Sequence, residues 1–122
     1  MNLRAALRNW LCYAILLMPL ALAAAGPLVV ELKLAGGKPE GGVRTVRVER
    51  DDTLEIRARS DEPIEIHIHG YDVTLRVQPG AAASVKIAAK LVGRFPVTAH
   101  LHRKDGGKAS EPTLLYLEVH PK

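Results

Sequence analysis

The sequence predicts an all-β domain, a sandwich or barrel of about eight short strands. Three observations lead to this prediction. Apolar and polar residues alternate over short segments, and Gly, Pro and Asp clusters separate these segments at regular intervals. No stretch after residue 25 keeps a helical period for three turns. With 122 residues, the chain is long enough for one domain.

The predicted strands begin at residue 28 and continue almost to the end of the chain. Leu54–Arg59 and Ile64–His69 alternate most strictly, as expected of strands with one buried face. Breaker residues at 36–42, 60–63 and 79–80 supply turns. In chain order, strands are predicted at 28–34, 43–49, 54–59, 64–69, 73–77, 85–87, 95–102 and 115–119.

Three segments are less regular. Pro96 lies inside a strand pattern, which indicates either an edge strand or a bulge at that point. Residues 81–92 leave room for a single helical turn, and residues 103–112 form a polar loop.

The first 25 residues have the pattern of a secretory signal peptide. Arg4 and Arg8 precede an uncharged apolar run over 11–23, and small residues follow it. The run is shorter than the roughly 20 residues that a membrane-spanning helix needs. An uncleaved membrane anchor is the alternative. We expect cleavage after Ala25, although Ala23 also satisfies the rule for small residues.

Cleavage at that point leaves residues 26–122 as one exported β-sandwich domain in the periplasm, no longer attached to the membrane. It removes Arg4 and Arg8 but no acidic residue, so the net charge falls from +4 to +2. The remaining Lys and Arg residues are scattered singly among acids. No basic stripe is present, and we expect no nucleic-acid partner.

Sulfur is absent from the predicted mature domain, because Cys12, Met1 and Met18 all lie in the signal segment. This excludes disulfides, thiol nucleophiles and thiolate or thioether metal ligands within residues 26–122. The sequence also lacks a P-loop, a dinucleotide fingerprint and a Gly-x-Ser-x-Gly motif. We therefore expect that the protein is not an enzyme.

Two His-x-His pairs supply the remaining candidate metal ligands. They are His67-Ile68-His69 and His100-Leu101-His102. Residues two apart in a strand share a face, so each pair places two imidazoles side by side, opposite the core. Imidazole nitrogen suits Cu(II), Zn(II) and Ni(II). Chance placement on two solvated faces is the alternative.

Other polar residues have smaller predicted roles. Asp72 and Asp105 could add carboxylate oxygen to a site built from the His pairs. His120 is expected to be a solvated residue near the end of the chain.

The segment from Asp52 to Val119 resembles a bacterial cupredoxin-like domain. The matching residues are Asp52-Thr53-Leu54-Glu55-Ile56, Ser60-Asp61-Glu62-Pro63, His67-Ile68-His69-Gly70-Tyr71-Asp72, Gln78-Pro79-Gly80, Gly93-Arg94-Phe95-Pro96-Val97, the His100 that follows, and the closing strand Leu114 to Val119. The resemblance implies a Greek-key β-sandwich of seven to eight strands with any metal site at one end. It places His69 or His67 at the first ligand position, and His100 and His102 near the second ligand cluster.

The sequence departs from that family where blue copper is bound. A blue-copper site needs a Cys thiolate after the Gly-x-Phe-x-Val strand and a Met in the next loop, but this chain has Ala99-His100-Leu101-His102 there. Blue-copper electron transfer is therefore excluded, since it depends on the Cu–thiolate bond.

The sequence predicts an exported cupredoxin-like protein that holds or delivers copper, as Cu(II), through His67, His69, His100 and His102. The alternative is a metal-free module of the same fold that contacts another protein of the cell envelope.

Overall fold

The computed structural model describes residues 26–101 and 110–122, which form two packed β-sheets. The predicted signal segment lies outside these ranges, as do His102 and Asp105. Within the two ranges, no helix is long and apolar enough to cross a membrane.

Nine strands make up the two sheets of the described chain. In chain order they are β1 (Leu28–Ala35), β2 (Lys38–Pro39), β3 (Arg44–Glu49), β4 (Thr53–Ser60), β5 (Ile64–Ile68), β6 (Val73–Val77), β7 (Ala83–Ala88), β8 (Gly93–His100) and β9 (Thr113–His120). The first sheet has the order β2-β1-β4-β7 and the second has the order β3-β9-β8-β5-β6. The pairs β1–β4 and β3–β9 are parallel, and the other pairs are antiparallel.

The all-β sandwich predicted from the sequence is confirmed, with small differences in the strands. The extra strand, β2, lies in the glycine-rich turn, where Ala35 pairs with Lys38. Gly36 and Gly37 make this tight reversal possible because both have positive φ, 57° and 74°. The segment that left room for a helical turn instead contains β7.

The core lies between the sheets and follows the predicted alternation. Ile64, Ile66 and Ile68 of β5 are 4%, 0% and 1% exposed, and the residues between them face outward. Every other strand except β2 also contributes buried apolar residues. The other buried apolar residues are Val30, Leu32, Leu34, Val48, Leu54, Ile56, Ala58, Leu75, Val77, Ile87, Ala89, Val97, Ala99, Leu114, Leu115, Leu117 and Val119.

Strand β8 is an interior strand, between β9 and β5. Pro96 predicted either an edge strand or a bulge. The structure has a bulge, because the pairing with β9 shifts register between Val97 and Thr98. The pairing of β8 with β5 stays regular through this region. The interior position of β8 therefore brings both predicted His segments onto neighbouring strands.

Gly70 closes the turn after β5 against an aromatic pair. Its φ is 83°, and a Cβ at this position would overlap the ring of Phe95. Phe95 in turn packs edge-to-face on Tyr71, with ring centres 5.2 Å apart. Only glycine satisfies both the backbone conformation and the close approach of the ring.

A matched pair of substitutions tests this packing. Gly70→Ala and Gly80→Ala impose similar backbone strain, because Gly80 has a φ of 81°, but no atom lies within 4 Å of a Cβ at Gly80. Gly70→Ala should therefore lower the free energy of unfolding by about 1–3 kcal/mol more than Gly80→Ala does. Urea unfolding of both variants measures the difference, and equal losses would contradict the packing role of Gly70.

Candidate metal-binding site

Three imidazoles lie near one another on the outer face of the five-stranded sheet. Strand β5 pairs with β8 so that Glu65 lies opposite His100, and His67 lies opposite Thr98. Since Ile66 and Ala99 between them face the core, His67 and His100 both point outward. Their ring centres are 6.3 Å apart.

His69 follows the end of β5 and is held by two interactions with β8. Its backbone N–H donates to the carbonyl of Pro96 at 3.1 Å. Its ring Nε2 is hydrogen-bonded to the hydroxyl of Thr98 at 2.9 Å. Its ring lies edge-on to His67 with centres 6.0 Å apart. His67 is therefore the imidazole with ring contacts to both others.

Thr98 lies opposite His67 and is only 8% exposed. The bond to His69 explains why a hydroxyl can be buried here, because a buried polar group needs a partner.

Two carboxylates contact the imidazoles. Glu111 Oε1 lies 2.7 Å from His100 Nδ1, and Glu65 Oε1 lies 3.8 Å from His67 Nε2. Arg76 Nε donates to the other oxygen of Glu65 at 3.2 Å. The alternation along β5 already placed Glu65 on the face of His67. Glu111 was missed, because it lies in the segment that the sequence marked only as a polar loop.

Asp72, the other carboxylate named from the sequence, lies in the turn between β5 and β6 with a φ of 51°. It lines a pocket of about 240 Å³ together with His67 and His69. Two of the three imidazoles, His67 and His69, therefore share this small concave surface with a carboxylate-bearing turn.

The distances between ring centres show whether the rings are close enough to bind one metal ion together. With metal–nitrogen bonds of about 2 Å, two ligand rings have centres at most roughly 6 Å apart. The measured separations from His67 are 6.0 Å to His69 and 6.3 Å to His100, and only one ring can lie trans to His67 on a shared ion. Within residues 26–101 and 110–122, no group of three or more His, Cys, Asp or Glu side chains is already arranged to hold a metal. The rings would have to move closer together before all three could bind one ion.

The interior positions beside this face carry no ligand atoms. Ala99, in the region where a blue-copper domain has its Cys, is fully buried in the core. Leu101 packs against Gly37 from the turn after β1. The imidazoles thus occupy the outside of the sheet while aliphatic side chains fill the inside.

A second histidine–carboxylate pair lies at the end of β9. The hydrogen bond between Glu118 and His120, 2.7 Å long, and the charge of Arg47 hold the pKa of Glu118 below its usual value. Arg94 also lies 3.7 Å from Glu118 and stacks over Tyr116 at 4.2 Å. His120 is half-exposed, as the sequence predicted, but it is the last residue of a strand rather than part of a loose tail.

Comparison with known proteins shows similarity in fold. The chain is similar to a chain of a heme-copper terminal oxidase dimer, with a TM-score of 0.59 and 19% identity, covering 78% of this chain and 66% of that one. It is similar to a copper-binding protein solved in its apo form, with a TM-score of 0.55 and 15% identity, covering 80% of this chain and 91% of that one. It is also similar to a laccase-like multicopper oxidase from Ochrobactrum sp., with a TM-score of 0.60 and 11% identity, covering 78% and 31%.

These similarities confirm the cupredoxin-like β-sandwich that the sequence resemblance implied. At identities of 11–19%, they show the fold alone. The chain spans 66% of the heme-copper oxidase chain and 31% of the laccase-like oxidase. No protein-family model matches the chain, and no curated protein matches it significantly.

The lowered pKa of Glu118 predicts a pH-dependent contribution to stability. A carboxyl whose pKa is lower in the folded protein favours folding fully above its unfolded pKa, about 4.3, and loses that effect as pH falls through the folded pKa. Glu118→Gln should therefore destabilise the protein at pH 7, and the difference from wild type should shrink on acidification below about pH 4.

Thermal unfolding between pH 2.5 and 7 measures this effect. Glu40→Gln, at an exposed glutamate next to β2, is the control for removing a charge. If the difference in melting temperature between Glu118→Gln and wild type stays constant across this range, the lowered pKa of Glu118 is contradicted.

Proposed function

We propose that this cupredoxin-like domain binds Cu(II) through His67 and His100, with His69 as a third nitrogen ligand, and that it holds or delivers the ion. The observation that carries the proposal is the grouping of three imidazoles on one face, with ring centres 6.0 and 6.3 Å apart. His102, two residues after His100, is proposed as a fourth ligand from its sequence spacing.

The chemistry of the donor atoms favours copper in its oxidised form. Nitrogen and oxygen ligands in a tetragonal arrangement suit Cu(II), whereas soft thiolate and thioether ligands select Cu(I). Glu65 contacts His67, and Asp72 lines the same pocket, so carboxylate oxygen is within the neighbourhood of the rings. Reduction to Cu(I) should weaken binding at such a site, which suits a protein that passes its ion on.

Electron transfer of the blue-copper type is not part of the proposal. The chain has no Cys or Met after Met18, and Ala99-His100-Leu101-His102 occupies the region where a blue-copper domain has its Cys. An exposed imidazole site on the outside of a sheet also lacks the buried, rigid surroundings that tune a redox centre. We therefore propose that the domain is not itself an enzyme, despite its similarity in fold to oxidase domains.

A metal-free role is the second candidate, and it has its own support. His69 Nε2 bonds Thr98 and His100 Nδ1 contacts Glu111, so both rings already have partners in the fold. In this alternative the domain contacts another envelope protein. This alternative would be favoured if the domain fails to bind copper and captures one partner protein equally well with and without a chelator.

Copper titration with paired variants tests the main proposal. Wild type should bind one equivalent of Cu(II) with a Kd on the order of micromolar or tighter. His67→Ala plus His100→Ala should weaken binding at least about 100-fold, because one nitrogen ligand remains among the described rings.

His120→Ala is the control, since that ring is paired with Glu118 at the end of β9. Binding no tighter than about millimolar in wild type would contradict the proposal. Equal affinities in wild type and the double variant would do the same.

Export is the remaining part of the proposal, supported by the signal pattern of the first 25 residues. The intact mass of the protein recovered from the periplasm should correspond to a chain that begins at Gly26, or at Ala24 if cleavage follows Ala23. Recovery of the full 122-residue chain from the membrane fraction would instead support an uncleaved anchor.

A further inference from the structure

We propose that Glu111 is a positioning residue that keeps the proton of the neutral His100 ring on Nδ1 and so makes Nε2 the metal-binding nitrogen. The second half of this inference rests on the proposed function, whereas the first half concerns the metal-free protein. The supporting contact is the 2.7 Å approach of Glu111 Oε1 to His100 Nδ1.

Backbone pairing brings Glu111 to the ring. Leu101 and Ser110 form an antiparallel bridge directly beside His100 and Glu111. On the other side, the backbone N–H of Ala99 donates to the carbonyl of Pro112 at 3.0 Å. These two connections flank the pair and place the backbone of Glu111 beside the ring, although the Glu111 side chain is 49% exposed.

The tautomer follows from the donors and acceptors available. A neutral imidazole has one N–H donor and one acceptor nitrogen, and an ionised carboxylate can only accept. A carboxylate at Nδ1 therefore fixes the proton there and leaves the lone pair on Nε2. In metal sites, the same arrangement orients the ring and raises its basicity as a ligand.

The protein contains a second Glu–His pair, in which the glutamate contacts the other nitrogen of the ring. At the far end of β9, Glu118 Oε1 lies 2.7 Å from His120 Nε2, so that ring should carry its proton on Nε2. Two histidines in one chain are thus predicted to have different neutral tautomers, each set by one glutamate.

Long-range ¹H–¹⁵N NMR of the metal-free protein near pH 8 tests the inference directly. Wild type should show the Nδ1–H tautomer for His100 and the Nε2–H tautomer for His120. Glu111→Ala should change the His100 pattern only, and Glu118→Ala should change the His120 pattern only. Glu111→Gln should retain Nδ1–H, because its amide oxygen still accepts.

Copper affinity completes the test. Loss of such a supporting carboxylate typically costs 10–100-fold in metal affinity, so Glu111→Ala should weaken Cu(II) binding by roughly that factor. Glu111→Gln should lie between Glu111→Ala and wild type, and Glu118→Ala should match wild type.

The outcomes separate the two proposals. A His100 tautomer that does not respond to Glu111→Ala overturns the positioning role. A tautomer that responds while copper affinity stays unchanged overturns the link to the metal. A tautomer that responds in a protein that never binds copper overturns the proposed function and supports the positioning role.

Discussion

The antiparallel pairing of β5 with β8 is the constraint on which the candidate site depends. Ile66 lies opposite Ala99, and both are fully buried in the core. Because side chains alternate along a strand, burying these two places His67 and His100 on the outer face. A shift of one residue in either strand would bring imidazole into the core and apolar side chains into water. Core packing therefore maintains the spacing of the two rings.

The same constraint separates this domain from a blue-copper protein. The inner positions near the histidines carry aliphatic side chains, and no sulfur follows Met18, so the proposed metal site lies on the outer face of the sheet. The His67 and His100 side chains are 45% and 33% exposed. Both rings therefore contact water. Such a site is better suited to an ion that exchanges with other binding partners than to an ion held rigidly for rapid electron transfer.

The parts that could be predicted from the sequence are those set by local periodicity. Strict alternation in β5 identified its buried isoleucines and the outward face of His67. The bulge in β8 was one of two options, because Pro96 excludes a regular ladder without saying how the strand adapts. The contact of Glu111 with His100 and the bond of Thr98 to His69 could not be predicted. Both depend on pairing between distant segments, which a pattern within one strand does not contain.

The copper content of the protein as cells produce it is the most direct measure of copper binding by these histidines. Wild-type protein and the His67→Ala, His100→Ala double variant would be purified from the periplasm of copper-supplemented cells without chelator and analysed by mass spectrometry for metals. If the domain binds copper as proposed, wild type should contain close to one copper per chain, and a double variant that remains folded should contain little. Wild-type protein without copper, or equal copper in both proteins, would contradict the proposed binding.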